Sequence, residues 1–96
     1  MSYEGTFVAF EMELPEWLRE QGWKVKIRDK ERVEPPHVTV LKGKLSWRWG
    51  IRERAFLDKE PDPSGVNPEI VRYLNQAANA ERLSRKWNEM YPENPV

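Results

Sequence analysis

From His37 to Arg52 the chain reads as two alternating runs separated by one glycine, and no other stretch constrains its fold as tightly. Successive side chains of a strand point to opposite faces. Val38, Val40, Leu45, Trp47, Trp49 and Ile51 therefore form an apolar side, and His37, Thr39, Lys44, Ser46, Arg48 and Arg52 a polar, mostly cationic one. Lys42-Gly43 between the runs predicts a β-hairpin, with the glycine supplying the positive φ that a two-residue connection requires. In that register Val40 faces Leu45, Thr39 faces Ser46, Val38 faces Trp47 and His37 faces Arg48. A slip of one residue would turn a strand over and bury its cations, so the pattern opposes it.

The flanking segments extend the sheet. Thr6 to Leu14 places Thr6, Val8, Phe10, Met12 and Leu14 on one side, the mark of a half-buried strand, and Pro15 stops it. Glu16 to Gln21 predicts one or two helical turns with Pro15 at the first helical position, ended by Gly22. Lys24-Val25-Lys26-Ile27-Arg28 alternates strictly, pointing three cations away from the core. Asp29 to Glu34 is a charged loop, and Pro35-Pro36 holds the backbone extended where a strand begins. After an irregular loop over Asp58 to Val66, Asn67-Pro68-Glu69 is a helix start with Asn67 as the cap. Ile70, Tyr73, Leu74, Ala77, Ala80, Leu83, Trp87 and Met90 recur every three or four residues and make one apolar stripe, with Asn79 marking a kink or a second start. Pro92 and Pro95 end the helix and leave a loose tail. The expected fold is α+β in a single domain over 1–96: an antiparallel sheet of three or four strands, with the C-terminal helix packed on one face.

The chain has 96 residues and no cysteine, which excludes disulfides, thiolate metal sites and thiol nucleophiles. Its one histidine is too few for a structural zinc site, so no metal and no cofactor is expected. Asp58, Glu60 and Asp62 lack the remainder of a calcium loop and read as solvated. No apolar run approaches the roughly 18 residues of a membrane span and no secretory leader is recognised, so a cytoplasmic chain without membrane contact is expected. The net charge of zero conceals a partition: residues 1–23 carry −4, residues 24–54 carry +6 and residues 55–96 carry −2. A basic centre favours an anionic partner. Of the five tryptophans, Trp47 and Trp49 belong to the core by alternation, while Trp17 or Trp23 is the candidate for a groove or a partner surface.

A strand opened by Pro35-Pro36-His37-Val38, a second strand, a proline-containing loop and a helix carrying Leu83, Trp87, Asn88 and Glu89 resemble the domain-of-unknown-function 4160 family, whose signature is Pro-Pro-His-x-His. The likeness covers roughly residues 23 to 91. Thr39 stands where that family has its second histidine, and Arg32-Val33-Glu34 where it often has Asp-His-Asn, so a two-histidine site is not expected here. The resemblance implies the toxin-like member of a toxin–antitoxin pair. The arrangement of Trp17 to Trp23 before a basic strand and a histidine is also similar to small toxins with a double-stranded-RNA-binding-like fold.

Cleavage of RNA through its 2′-hydroxyl needs a base, an acid and cations for the developing phosphorane charge. His37 and Arg48 are the candidate catalytic pair of a metal-independent endoribonuclease, although a single histidine leaves the acid unassigned. The alternative for His37 is a strand-edge residue bonded to a carboxylate such as Glu34, and that non-catalytic role is preferred. The candidate binding residues for RNA or an acidic protein partner are Lys24, Lys26, Arg28, Thr39, Lys44 and Arg48. The expected function is a small binding module; an interaction module that never touches nucleic acid is the third possibility.

Overall fold

The computed structural model describes residues 10–28 and 34–96. The predicted strand residues 6–9 and loop residues 29–33 lie outside the described residues. Five strands, β1 (Phe10–Glu11), β2 (Trp23–Ile27), β3 (His37–Lys42), β4 (Leu45–Gly50) and β5 (Ala55–Phe56), form one antiparallel sheet in sequence order. Among the described residues three α-helices accompany it, α1 (Glu16–Glu20), α2 (Pro68–Asn75) and α3 (Ala77–Met90), with a 3-10 turn at Pro63–Gly65. The α+β class with its antiparallel sheet and C-terminal helix is as expected. The strand number is five, because Phe56 returns to β4 and sets its ring edge-on against Trp49 at 5.0 Å.

The hairpin register differs from the expected one by two residues. Val40 pairs with Trp47, Thr39 with Arg48, Val38 with Trp49 and His37 with Gly50. The connection is Gly43-Lys44, not Lys42-Gly43. Gly43 has φ +59° and Lys44 does not share the positive sign, the pattern of a type II′ turn with glycine first. A shift of two leaves every side chain on its predicted face, so hydrophobic alternation cannot distinguish the two registers. It does move Leu45 to the hairpin tip, where it is 48 % exposed instead of buried with its apolar neighbours.

The inner face of the sheet carries Trp23, Val25, Ile27, Val38, Val40, Trp47 and Trp49, joined in one core with Ile70, Leu74, Leu83 and Trp87 of α2 and α3. Asn67 caps α2, its side-chain oxygen accepting from Glu69 N at 2.9 Å, a bond worth about 1 kcal/mol. The single predicted helix is broken at Gln76, which is extended at ψ 136°. Asn79 secures the break by donating to the Tyr73 carbonyl (2.9 Å) and to Gln76 Oε1 (3.1 Å). The bend keeps Ile70 and Leu74 of α2 and Leu83 and Trp87 of α3 in the one core.

The tail is pinned, contrary to expectation. Trp87 Nε1 donates to the Asn94 carbonyl (2.7 Å), Asn94 Nδ2 to the Glu34 carbonyl (2.8 Å), and Arg52 to the Pro95 carbonyl (2.7 Å). These bonds tie the end of the chain to the segment that enters β3, satisfying backbone carbonyls that would otherwise lack donors.

Candidate functional site

Alternation along β2, β3 and β4 places Lys24, Lys26 and Arg28, then Thr39 and Leu41, then Ser46 and Arg48 on the sheet face turned away from the helices. The register sets Lys26, Thr39 and Arg48 in one row across the sheet, and Lys24, Leu41 and Ser46 in the next. Lys24 and Arg28 are exposed and Lys26 is half-buried. None of the three forms an ion pair with a described residue. Glu11 stands opposite Lys26 in the β1–β2 ladder without reaching it. Lys44 sits in the turn, exposed, beyond the end of this face.

Arg48 is held quite differently. Its Nε lies 3.1 Å from both Asp58 oxygens, its Nη2 2.7 Å from Asp58 Oδ1, and its Nη1 3.1 Å from Glu34 Oε1. Asp58 also accepts from Arg48 N at 3.1 Å, covering a strand-edge amide that β5 does not reach. The side-chain bond from Arg48, ahead of its charge, holds the Asp58 carboxyl below the ordinary aspartate range, against the opposing effect of burial. The same bond, followed by the attraction of Asp58 and then Glu34, raises Arg48 above its ordinary value. Arg48 keeps its expected face and stays partly exposed, but two carboxylates, 10 and 14 residues away in sequence, pair with its charge.

His37 is fully buried, with its ring 5.7 Å from that of Trp87. Its Nδ1 lies 2.8 Å from the Pro35 carbonyl oxygen. A carbonyl only accepts, so Nδ1 carries the hydrogen. Nε2 lies 3.8 Å from Glu34 Oε1, the oxygen that also receives Arg48. The turn after β4 closes over this end of the sheet: a Cβ on Gly50, the partner of His37, would collide with the Glu53 carboxylate and come within 3.0 Å of Leu57 Cδ2. His37 and Arg48 are therefore diagonal neighbours on adjacent strands, connected through Glu34, and not a directly facing pair.

Between these groups lies an open polar pocket of about 390 Å³, lined by Arg28, Glu34, Thr39, Ser46, Arg48 and Asp58 together with Glu60 and Pro61. Glu60 and Pro61 come from a loop read from sequence only as solvated surface. No short-range pattern relates that loop to β2. Among the described residues no group of three His, Cys, Asp or Glu side chains is arranged to hold a metal ion, and no helix is long and apolar enough to cross a membrane. Of the two uncertain tryptophans, Trp23 is buried beneath Lys42, whose Nζ lies 4.9 Å from its ring. Trp17 is 46 % exposed beside Pro15 and Tyr73.

In comparisons with known proteins, no family, no curated protein and no solved structure matches this chain.

Proposed function

We propose that this chain is a binding module that takes single-stranded RNA on the sheet face turned away from its helices. The observation that carries the reading is the row Lys24, Lys26 and Arg28. Strand spacing sets these three cations about 6.8 Å apart, and no described carboxylate pairs with them. Ser46 lies alongside, exposed, with a hydroxyl able to donate to a phosphate oxygen, whereas the candidate Thr39 is buried between Lys26 and Arg48. A protein partner would be anchored by aromatic side chains in desolvated pockets, whereas among the described residues β2, β3 and β4 offer Leu41 as the apolar side chain of this face. The burial of His37 and the neutralisation of Arg48 support binding over catalysis, since a general base must come within about 3 Å of the proton it removes.

A place as the toxin-like member of a toxin–antitoxin pair draws its support from the Pro35-Pro36-His37 resemblance. In that setting RNA binding is the harmful act. Growth arrest on expression, relieved by Lys24→Glu with Lys26→Glu, is the expected outcome.

The direct test is fluorescence anisotropy with a labelled oligoribonucleotide across a salt series. Three phosphate contacts give a log–log salt slope of about −2, from about 0.7 per contact for single strands. Failure to retain RNA at about 50 mM salt, where such contacts are strong, overturns the reading in favour of an acidic protein partner.

A further inference from the structure

From the polar pocket beside the cation row we infer a guanine-binding subsite, in which Arg28 and Glu60 read the base and the guanidinium of Arg48 is the surface it stacks on. The inference rests on the RNA reading above and names the base it would select.

Three carboxylates line the pocket beside the cation row, and phosphate contact alone gives them no purpose. Asp58 and Glu34 are accounted for by Arg48. Glu60 is not: it is exposed, makes no ion pair or hydrogen bond with a described residue, and still shares the pocket with Arg28, whose side chain likewise has no described partner. An ionised carboxylate only accepts hydrogen bonds and a guanidinium only donates them. Guanine is the base that presents both complements on adjoining edges, with N1–H and the N2 amino group as donors and O6 and N7 as acceptors. Adenine would turn its N1 lone pair toward Glu60. Cytosine and uracil each offer one donor group on the Watson–Crick edge, so one carboxylate oxygen would go unmatched.

Arg48 supplies the third element. Unstacked bases pack on the planes of guanidinium groups as they do on aromatic rings. The fork from Asp58 and the bond from Glu34 hold the Arg48 plane in one orientation, while 37 % of the side chain stays exposed in the pocket wall. Little side-chain freedom is then left to lose when a base arrives. Among the described residues no aromatic ring lines this pocket, so the clamped arginine takes the place of one. Lys26, two positions along the same cross-sheet row, is placed to take the phosphate of the bound nucleotide.

The test uses the full chain and four labelled hexaribonucleotides, hexauridine and its three variants with one central G, A or C, compared by anisotropy at about 50 mM salt. The G-containing strand is expected to bind about ten-fold more tightly than the others, the discrimination given by one bidentate base contact. Glu60→Gln, an exposed and nearly isosteric change, should remove that preference and leave hexauridine binding intact. Four equal, salt-sensitive affinities, or a G preference unchanged by Glu60→Gln, overturn the guanine subsite and leave the RNA reading standing. Retention of none of the four overturns both.

Discussion

The cations of β2 and the cation of β4 lie on the same sheet face and belong to the same residue class, yet they carry different work. Lys24, Lys26 and Arg28 alternate outward along and just beyond β2 and form no ion pair with a described carboxylate. Arg48 is drawn into a cluster with Asp58 and Glu34, and through Glu34 it is linked to the buried His37 and to the tail residue Asn94. A formal positive charge in a sequence therefore gives no measure of available positive potential. Availability depends on where carboxylates from distant segments come to rest.

That contrast predicts two separable classes of variant, one acting on stability and the other on binding. The largest effect is expected at the clamped end. His37→Ala removes a fully buried ring from Trp87 and leaves the Pro35 carbonyl without its donor, so urea unfolding should show a loss of about 2–4 kcal/mol. The protein that stays folded should keep its RNA affinity; a stable but non-binding His37→Ala would erase the distinction between the two regions.

Next comes the row that pairs with no described carboxylate. Lys24→Glu combined with Lys26→Glu should lower RNA affinity on the order of 10- to 100-fold at about 50 mM salt and flatten the salt slope. Its unfolding free energy should stay within about 1 kcal/mol of wild type, Lys24 being exposed and Lys26 half-buried. A large stability loss would place these lysines in the structural class.

Asp58→Asn probes the clamp itself. The pair is partly exposed, so solvent screening limits the expected cost at pH 7 to about 1 kcal/mol. The folded protein holds the Asp58 carboxyl below its ordinary value of 3.8. Its contribution is thus fully present above 3.8 and is lost as the pH falls through the folded value. The stability difference between wild type and Asp58→Asn should be flat from pH 7 to 5 and shrink only below about 4, and a difference already declining near pH 6 would assign the clamp to another group.

The smallest effect is expected at Asn94→Ala. It removes the side-chain donor to the Glu34 carbonyl and should cost about 1 kcal/mol in urea unfolding with RNA affinity unchanged. A change in affinity instead would connect the tail to the binding face.

Much of this architecture is legible locally. Alternation assigns Val38, Val40, Trp47 and Trp49 to the core and Lys24, Lys26 and Arg28 to the opposite face, because side-chain direction in a strand depends only on position along the backbone. The cap at Asn67 and the apolar stripes of the C-terminal helices follow equally from neighbouring residues. The candidate site is legible only as a set of charges. Which of them stay free depends on Asp58 and Glu60 in the loop before α2 and on Glu34 at the entry to β3, segments with no periodic relation to the residues they meet.

The sequence by itself determined the class of the fold, the two faces of the sheet and the absence of thiol chemistry, since each follows from residue type and short-range period. Tertiary structure alone decided the hairpin register, the neutralisation of Arg48, the burial of His37 and the ordering of the tail. Faces repeat every two residues, so alternation leaves the register open to shifts of two, and a positive φ at Gly43 serves either connection. Ion pairs and hydrogen bonds between segments 10 to 60 residues apart obey no period at all, and they exist only once the packed core has brought those segments together.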